Sequence, residues 1–160
     1  MMRDHVKLHA FKLADDVAVL VYMLTSGFPR DELYGLTSQM RRAAVSVPSN
    51  IVEGCARESQ TEYLRFLEIA FGSLRELHYQ FGLAKRLNYC TDIETSECES
   101  KIIEAEKVLN SLIRSLRNTN TLQPNTLQPN TLQPNTLQPK PLQPKPLQPN
   151  PLQPKPLQPD

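Results

Sequence analysis

The residues whose types and spacing suit chemistry crowd between Gln39 and Arg57. Arg41 and Arg42 stand before the small residues Ala43, Ala44, Val45 and Ser46; Ser49, Asn50 and Glu53 follow Pro48, and Arg57 closes the stretch. Guanidiniums are permanent positive charges with forked donors that match phosphates and carboxylates. One reading is structural. The small residues let helices approach closely, Ser49 or Asn50 satisfies backbone groups freed at Pro48, and Arg41 or Arg42 pairs with Glu53, Glu62 or Glu76 across the fold. The other is functional: an oligomer repeats the arginines by symmetry and presents them to phosphates or to an acidic partner. With Arg65 and Arg75 added, the candidate nucleic-acid or partner surface is Arg41, Arg42, Arg57, Arg65 and Arg75.

Catalytic and metal chemistry find no comparable cluster. His5, His9 and His78 have no Cys or His partner at metal-ligand spacing, and Cys55, Cys90 and Cys98 form neither a metal pattern nor an even-numbered disulfide framework. Each cysteine is expected as a small buried or half-buried apolar residue. The five glycines are scattered at Gly27, Gly35, Gly54, Gly72 and Gly82, so no phosphate loop is present. Glu104 and Glu106 are two apart and do not face each other on a helix. The expectation is no catalytic, cofactor-binding or metal residue, no cofactor, no small-molecule substrate and no enzyme activity.

These side chains must be positioned by the part of the chain able to fold. From about Thr119 onward a pentapeptide recurs, with Leu-Gln-Pro beginning at Leu122, Leu127, Leu132 and so on to Leu157. The array holds 12 of the 14 prolines, leaving Pro29 and Pro48. One leucine per unit cannot bury a core, and proline blocks helix and sheet, so residues 119–160 are expected to be a disordered low-complexity tail. The remaining residues, 1–118, make one domain. Setting aside Lys140, Lys145, Lys155 and Asp160 leaves 15 basic and 16 acidic residues there. That balance lacks the basic excess of a general nucleic-acid binder, so any such contact needs a local patch. The first residues, Met1–Lys7, lack an apolar signal core, and no apolar run approaches the ~20 residues of a membrane span. A soluble, cytoplasmic protein with no membrane partner is expected.

Periodicity predicts four helices and no strand. The first runs from about His9 to Ser26, with Phe11, Ala14, Val17, Ala18, Val21 and Leu24 on one face. The second runs from Asp31 to Glu53 on Leu33, Leu36, Met40, Ala43, Val47 and Ile51, with a kink expected at Pro48. The third, Glu62 to Arg86, opens on a Ser59–Glu62 capping box. It carries a heptad seam of Tyr63, Leu67, Ala70, Leu74, Leu77, Phe81 and Ala84, flanked by Phe66 and Ile69. The fourth opens on Thr91 and Glu94, a second capping-box match, and buries Cys98, Ile102, Ala105, Leu109, Leu112 and Leu116. Short connections favour antiparallel neighbours, giving an all-α, up-down-up-down four-helix bundle with coiled-coil-like packing.

Three motifs in order add a resemblance. The first is Phe28, Pro29, Glu32, Leu33, Tyr34, Gly35, Leu36. The second is Gln39, Arg41, Arg42, Ala43, Ser46, Pro48, Asn50, Ile51, Glu53, Gly54. The third is Phe66, Leu67, Ile69, Ala70, Gly72, Ser73, Leu74, Glu76, Leu77. Across nearly all of residues 5–117 the chain resembles a bacterial family of small four-helix-bundle proteins whose founding members are encoded in intervening sequences of 23S rRNA genes. Phe11 departs from the pattern, standing where Trp is common, and the array is no part of it. The resemblance implies a homo-oligomer, a pentamer with a central channel. It also implies kinship with the accessory variability determinants of diversity-generating retroelements, which act with a reverse transcriptase and bind nucleic acid through basic surfaces. The functional expectation is a non-enzymatic homo-oligomeric adaptor for RNA or an RNA-handling protein. The alternative is a purely protein-binding scaffold, such as a reverse-transcriptase accessory subunit.

Overall fold

A computed structural model describes residues 3–121, with the backbone alone for 92–94, 120 and 121. The Leu-Gln-Pro array, with its expected disorder, and the Glu94 side chain of the second capping box lie outside the described residues. Four helices account for the fold: α1 (His9–Thr25), α2 (Leu36–Cys55), α3 (Gln60–Arg86) and α4 (Asp92–Thr121). Short 3₁₀ turns over His5–Lys7 and Arg30–Glu32 precede α1 and α2, and among the described residues there is no strand.

The stripes read from periodicity form the core, with local shifts. All seven seam residues of α3 are buried. In α1, Ala10, Leu13, Ala14, Val17, Ala18 and Val21 are buried, whereas Phe11 and Leu24 pack only against its edge. In α4, Ile113 is buried, while Leu112 and Leu116 are half-buried. Leu33 is the clear correction: it is 51% exposed and stands outside α2. The expected start of that helix at Asp31 fails because the Glu32 carboxylate accepts the Leu36 N–H at 2.8 Å, capping a helix that begins five residues later. Gly35 makes room for this cap, since a Cβ there would clash with Glu32 Oε2. Downstream, α2 runs unbroken through Pro48 to Cys55.

The other ends follow local rules. Ser59 Oγ accepts the Glu62 N–H at 3.4 Å, half of the expected capping box, while the Glu62 carboxylate turns to Arg65. Asn88 takes a left-handed φ of 57°, so that Asn88 N–H reaches Lys85 O and Tyr89 N–H reaches Ala84 O. These paired bonds close α3 on its own carbonyls.

Around the core, α1 touches α2 and α4, and α3 touches α2 and α4. Along two of these pairs, α3–α4 and α2–α3, the contacts run in opposite senses. On α3 and α4, Glu68 meets Arg117 while Lys85 meets Glu99. On α2 and α3, Ser46 meets Ser73, and the Gly54 backbone lies against Phe66 and Tyr63. Among the described residues, no helix is long and apolar enough to cross a membrane.

Candidate functional site

The first half of α2, the end of α1 and the turn before α2 enclose an open groove of about 600 Å³. Tyr22 comes from α1, Leu33 and Tyr34 from the turn, and Thr37, Ser38, Arg41, Arg42, Val45 and Ser46 from α2. The early break at Gly35 creates the site. Had α2 begun at Asp31, Leu33 would have joined the buried stripe; instead it lines the groove, and Tyr34 beside it is 91% exposed.

Within the groove Arg41 is held from two sides. Its Nε donates to Thr25 Oγ1 at 2.8 Å, and Thr25 Oγ1 donates onward to Val21 O at 2.8 Å. The guanidinium lies 4.8 Å from the Tyr22 ring centroid, a cation–π contact. Arg41 therefore pairs with neither Glu53, Glu62 nor Glu76; a hydroxyl and a ring take their place. Arg42 is exposed and forms no ion pair among the described residues. It stands on the ridge between the groove and a smaller depression of about 140 Å³, lined by Gln39, Arg42, Ala43, Ser46, Ser73 and Glu76. The groove lining contains no carboxylate. Thr37 is buried, and its hydroxyl has no hydrogen-bond partner among the described residues.

The remaining polar motif residues have internal roles. Ser46 and Ser73 hydroxyls lie 2.9 Å apart, bridging α2 and α3, and Asn50 Nδ2 donates to Ser46 O at 2.8 Å and Ser46 Oγ at 3.1 Å. Asn50 thus serves Ser46 rather than Ala44 O, the carbonyl that Pro48 leaves without its helical donor. Glu53 pairs with Arg57, and Glu76 accepts from Gln80 at 3.0 Å. Gly54 permits close helix approach, because a Cβ there would lie 2.9 Å from Phe66 Cβ. At Gly72 a Cβ would meet open space, and nothing in its surroundings requires glycine.

The five candidate arginines occupy three places. Arg41 and Arg42 border the groove. Arg57 and Arg65 flank the Phe66 ring at 5.0 and 5.5 Å and pair with Glu53 and Glu62 respectively. Arg75 sits between α3 and α4, 3.2 Å from Glu106, whose carboxylate also lies 2.9 Å from His78 Nδ1. Sequence reasoning named Tyr34 as a motif residue but not as an exposed ring, and it passed over Tyr22 and Thr37. The tyrosine next to a helix-breaking glycine is the signal that marks Tyr34.

Burial holds Cys55 and Cys98 out of nucleophilic chemistry. Cys98 is pushed up to about 12 by desolvation, and Cys55 is also raised, chiefly by burial. Both stay thiols at neutral pH, when the thiolate is the reactive form. Among the described residues, no three His, Cys, Asp or Glu converge to hold a metal ion.

The model for 23S rRNA-intervening sequence proteins matches residues 6–111, which includes every helix that builds the groove. The chain belongs to that family. A solved structure from Bacteroides thetaiotaomicron VPI-5482, described as a protein of unknown function from the S23 ribosomal protein family, has the same fold with a TM-score of 0.61. It is 23% identical, and the match covers 66% of this chain and 95% of that one. No curated protein matches the chain.

Proposed function

We propose that this intervening-sequence family chain is a non-enzymatic, homo-oligomeric adaptor acting in the cytoplasm. It is built as an antiparallel, up-down-up-down four-helix bundle, and its α1–α2 groove is the contact face for an RNA-handling protein. The opposed contacts along α2–α3 and α3–α4 support the bundle. Self-association is supported by the family resemblance, which implies a pentamer, and by the exposed apolar side chains of Val19 and Met23 one helical turn apart on α1.

The observation that carries the protein-contact reading is the character of the groove. It combines two tyrosines, two arginines and the apolar Leu33 and Val45, a composition typical of protein interfaces. Arg57, Arg65 and Arg75 are engaged with carboxylates, which reduces the positive charge available to phosphates. Direct RNA contact is a second reading, favoured by one observation: Arg42 is exposed with no ion pair among the described residues.

Light scattering on the full chain, with a pull-down from native lysate with and without ribonuclease, tests this. An oligomer that keeps its protein partner through ribonuclease treatment supports the adaptor. A monomer at micromolar concentration overturns the assembly, and a partner lost with the RNA moves the assignment to direct RNA binding.

A further inference from the structure

We infer that the groove takes an acidic peptide segment of a partner protein, with carboxylates on Arg41 and Arg42 and an apolar side chain against Tyr22, Leu33 and Val45. This rests on the adaptor reading and names the chemistry of the partner. Two observations lead to it. First, the groove carries two guanidiniums and no carboxylate, so it is complementary to a negatively charged occupant. Arg41 is already fixed through Nε by Thr25 and through its face by Tyr22, so little side-chain freedom remains to be lost when its terminal nitrogens bind a carboxylate.

Second, the floor is apolar and the rim aromatic. Tyr34, 91% exposed, has no contact with the core to hold it, and Leu33 is 51% exposed beside it. A tyrosine on a groove rim is a rigid anchor that closes over a bound side chain at low entropic cost.

Magnitude separates this from RNA. Two guanidiniums neutralise about two phosphates, and each contributes a salt slope of only about −0.7 on a single strand. The apolar floor adds nothing for a phosphodiester, whereas it is used in full by a leucine or phenylalanine between two acidic residues. The segment lies on the groove side of Arg42, because Glu76 on the far side of that ridge repels carboxylates.

The test is fluorescence anisotropy of the full chain with a labelled twelve-residue peptide that alternates glutamate with leucine and phenylalanine. Its comparisons are the same peptide with lysine for glutamate, polyglutamate, and a twelve-nucleotide uridine oligomer. Saturable binding of the acidic–apolar peptide alone is expected, weakened about tenfold by Arg42→Gln and severalfold by Tyr34→Ala. Lys107→Gln, on the exposed face of α4, should leave it unchanged. Equal binding of polyglutamate or the lysine peptide, tighter binding of the uridine oligomer, or full affinity in Arg42→Gln each overturns the proposal. Thermal melts confirm folding of each variant; if Arg42→Gln does not fold, Tyr34→Ala decides, since that ring is exposed. If the peptide fails while an oligomer with a ribonuclease-resistant partner persists, this inference falls and the adaptor reading stands.

Discussion

The Tyr89 hydroxyl donates to Glu32 Oε1 at 3.1 Å, joining residues 57 apart in the chain. The other oxygen of that carboxylate caps α2 at Leu36 N–H, so the chain just beyond α3 sets where α2 begins. Phe28 packs beside this link, with its ring centroid 5.7 Å from that of Tyr89. The cap in turn keeps Leu33 and Tyr34 out of α2 and in the groove.

Glu32→Ala should therefore cost about 0.5–2 kcal/mol, the usual range for a lost helix cap, and Glu32→Gln less, because an amide oxygen still accepts. Gly35→Ala acts through the same carboxylate, which its Cβ would displace. A double-mutant cycle in urea should show the Glu32→Ala and Gly35→Ala losses to be clearly less than additive. Full additivity would mean that Gly35 does not act through the cap.

Gly54→Ala places a Cβ 2.9 Å from Phe66 Cβ and 3.3 Å from Tyr63 O. Backbone cannot yield as a flexible side chain can, so α2 and α3 must part. A loss of about 1–3 kcal/mol is expected from equilibrium denaturation, in line with overpacked cores. Gly72→Ala, which meets open space in a helix, should be neutral or stabilising by up to about 1 kcal/mol.

Alkaline pH should unfold the domain through buried thiols and phenols. Desolvation raises Cys98 from 9.0 to about 12 and Tyr63 from 10.0 to about 12. A raised folded value means that the unfolded chain releases its proton first. The stabilisation is whole below about pH 9 and drains away as pH rises toward 12. Melting temperature should thus be level from pH 7 to 8 and fall above 9. Cys98→Ala should make that fall shallower by about one proton's worth of slope. An unchanged slope would remove Cys98 from the account.

Two acidic residues on the α3–α4 face offer a contrast in burial. The Glu106 side chain is 13% exposed and meets both Arg75 and His78, whereas Glu68 is 41% exposed where it meets Arg117. Glu106→Gln should cost about 1–3 kcal/mol, because it leaves charge-assisted partners unmatched in a half-buried place. Arg117→Gln should cost under about 1 kcal/mol, and raising salt should abolish its effect. Urea denaturation at low and high salt reads both.

What could be read from the sequence was local. Tyr63 through Ala84 recur at helical spacing, and every one of them is buried in α3, because the 3.6-residue turn alone decides which positions share a face. Gly27 and Ser59 likewise marked helix ends through short-range chemistry. Leu33 fits the stripe of α2 equally well by spacing, but a cap supplied in part by Tyr89 removes it.

The arginines show the same division. Their charge and number are plain in the sequence, and the likeness to the intervening-sequence family follows from ordered motifs. Which of them are neutralised depends on how one helix slides and turns against the next, a matter of a few ångströms. That register matched Arg75 to Glu106 and Arg41 to Thr25, while Arg42 meets no carboxylate among the described residues. The sequence by itself determined that there are four helices and which residues make up most of their buried faces, since both follow from bonds and spacings within a few residues. Only the tertiary structure decided the groove, because its walls come from chain segments that meet only when the core closes.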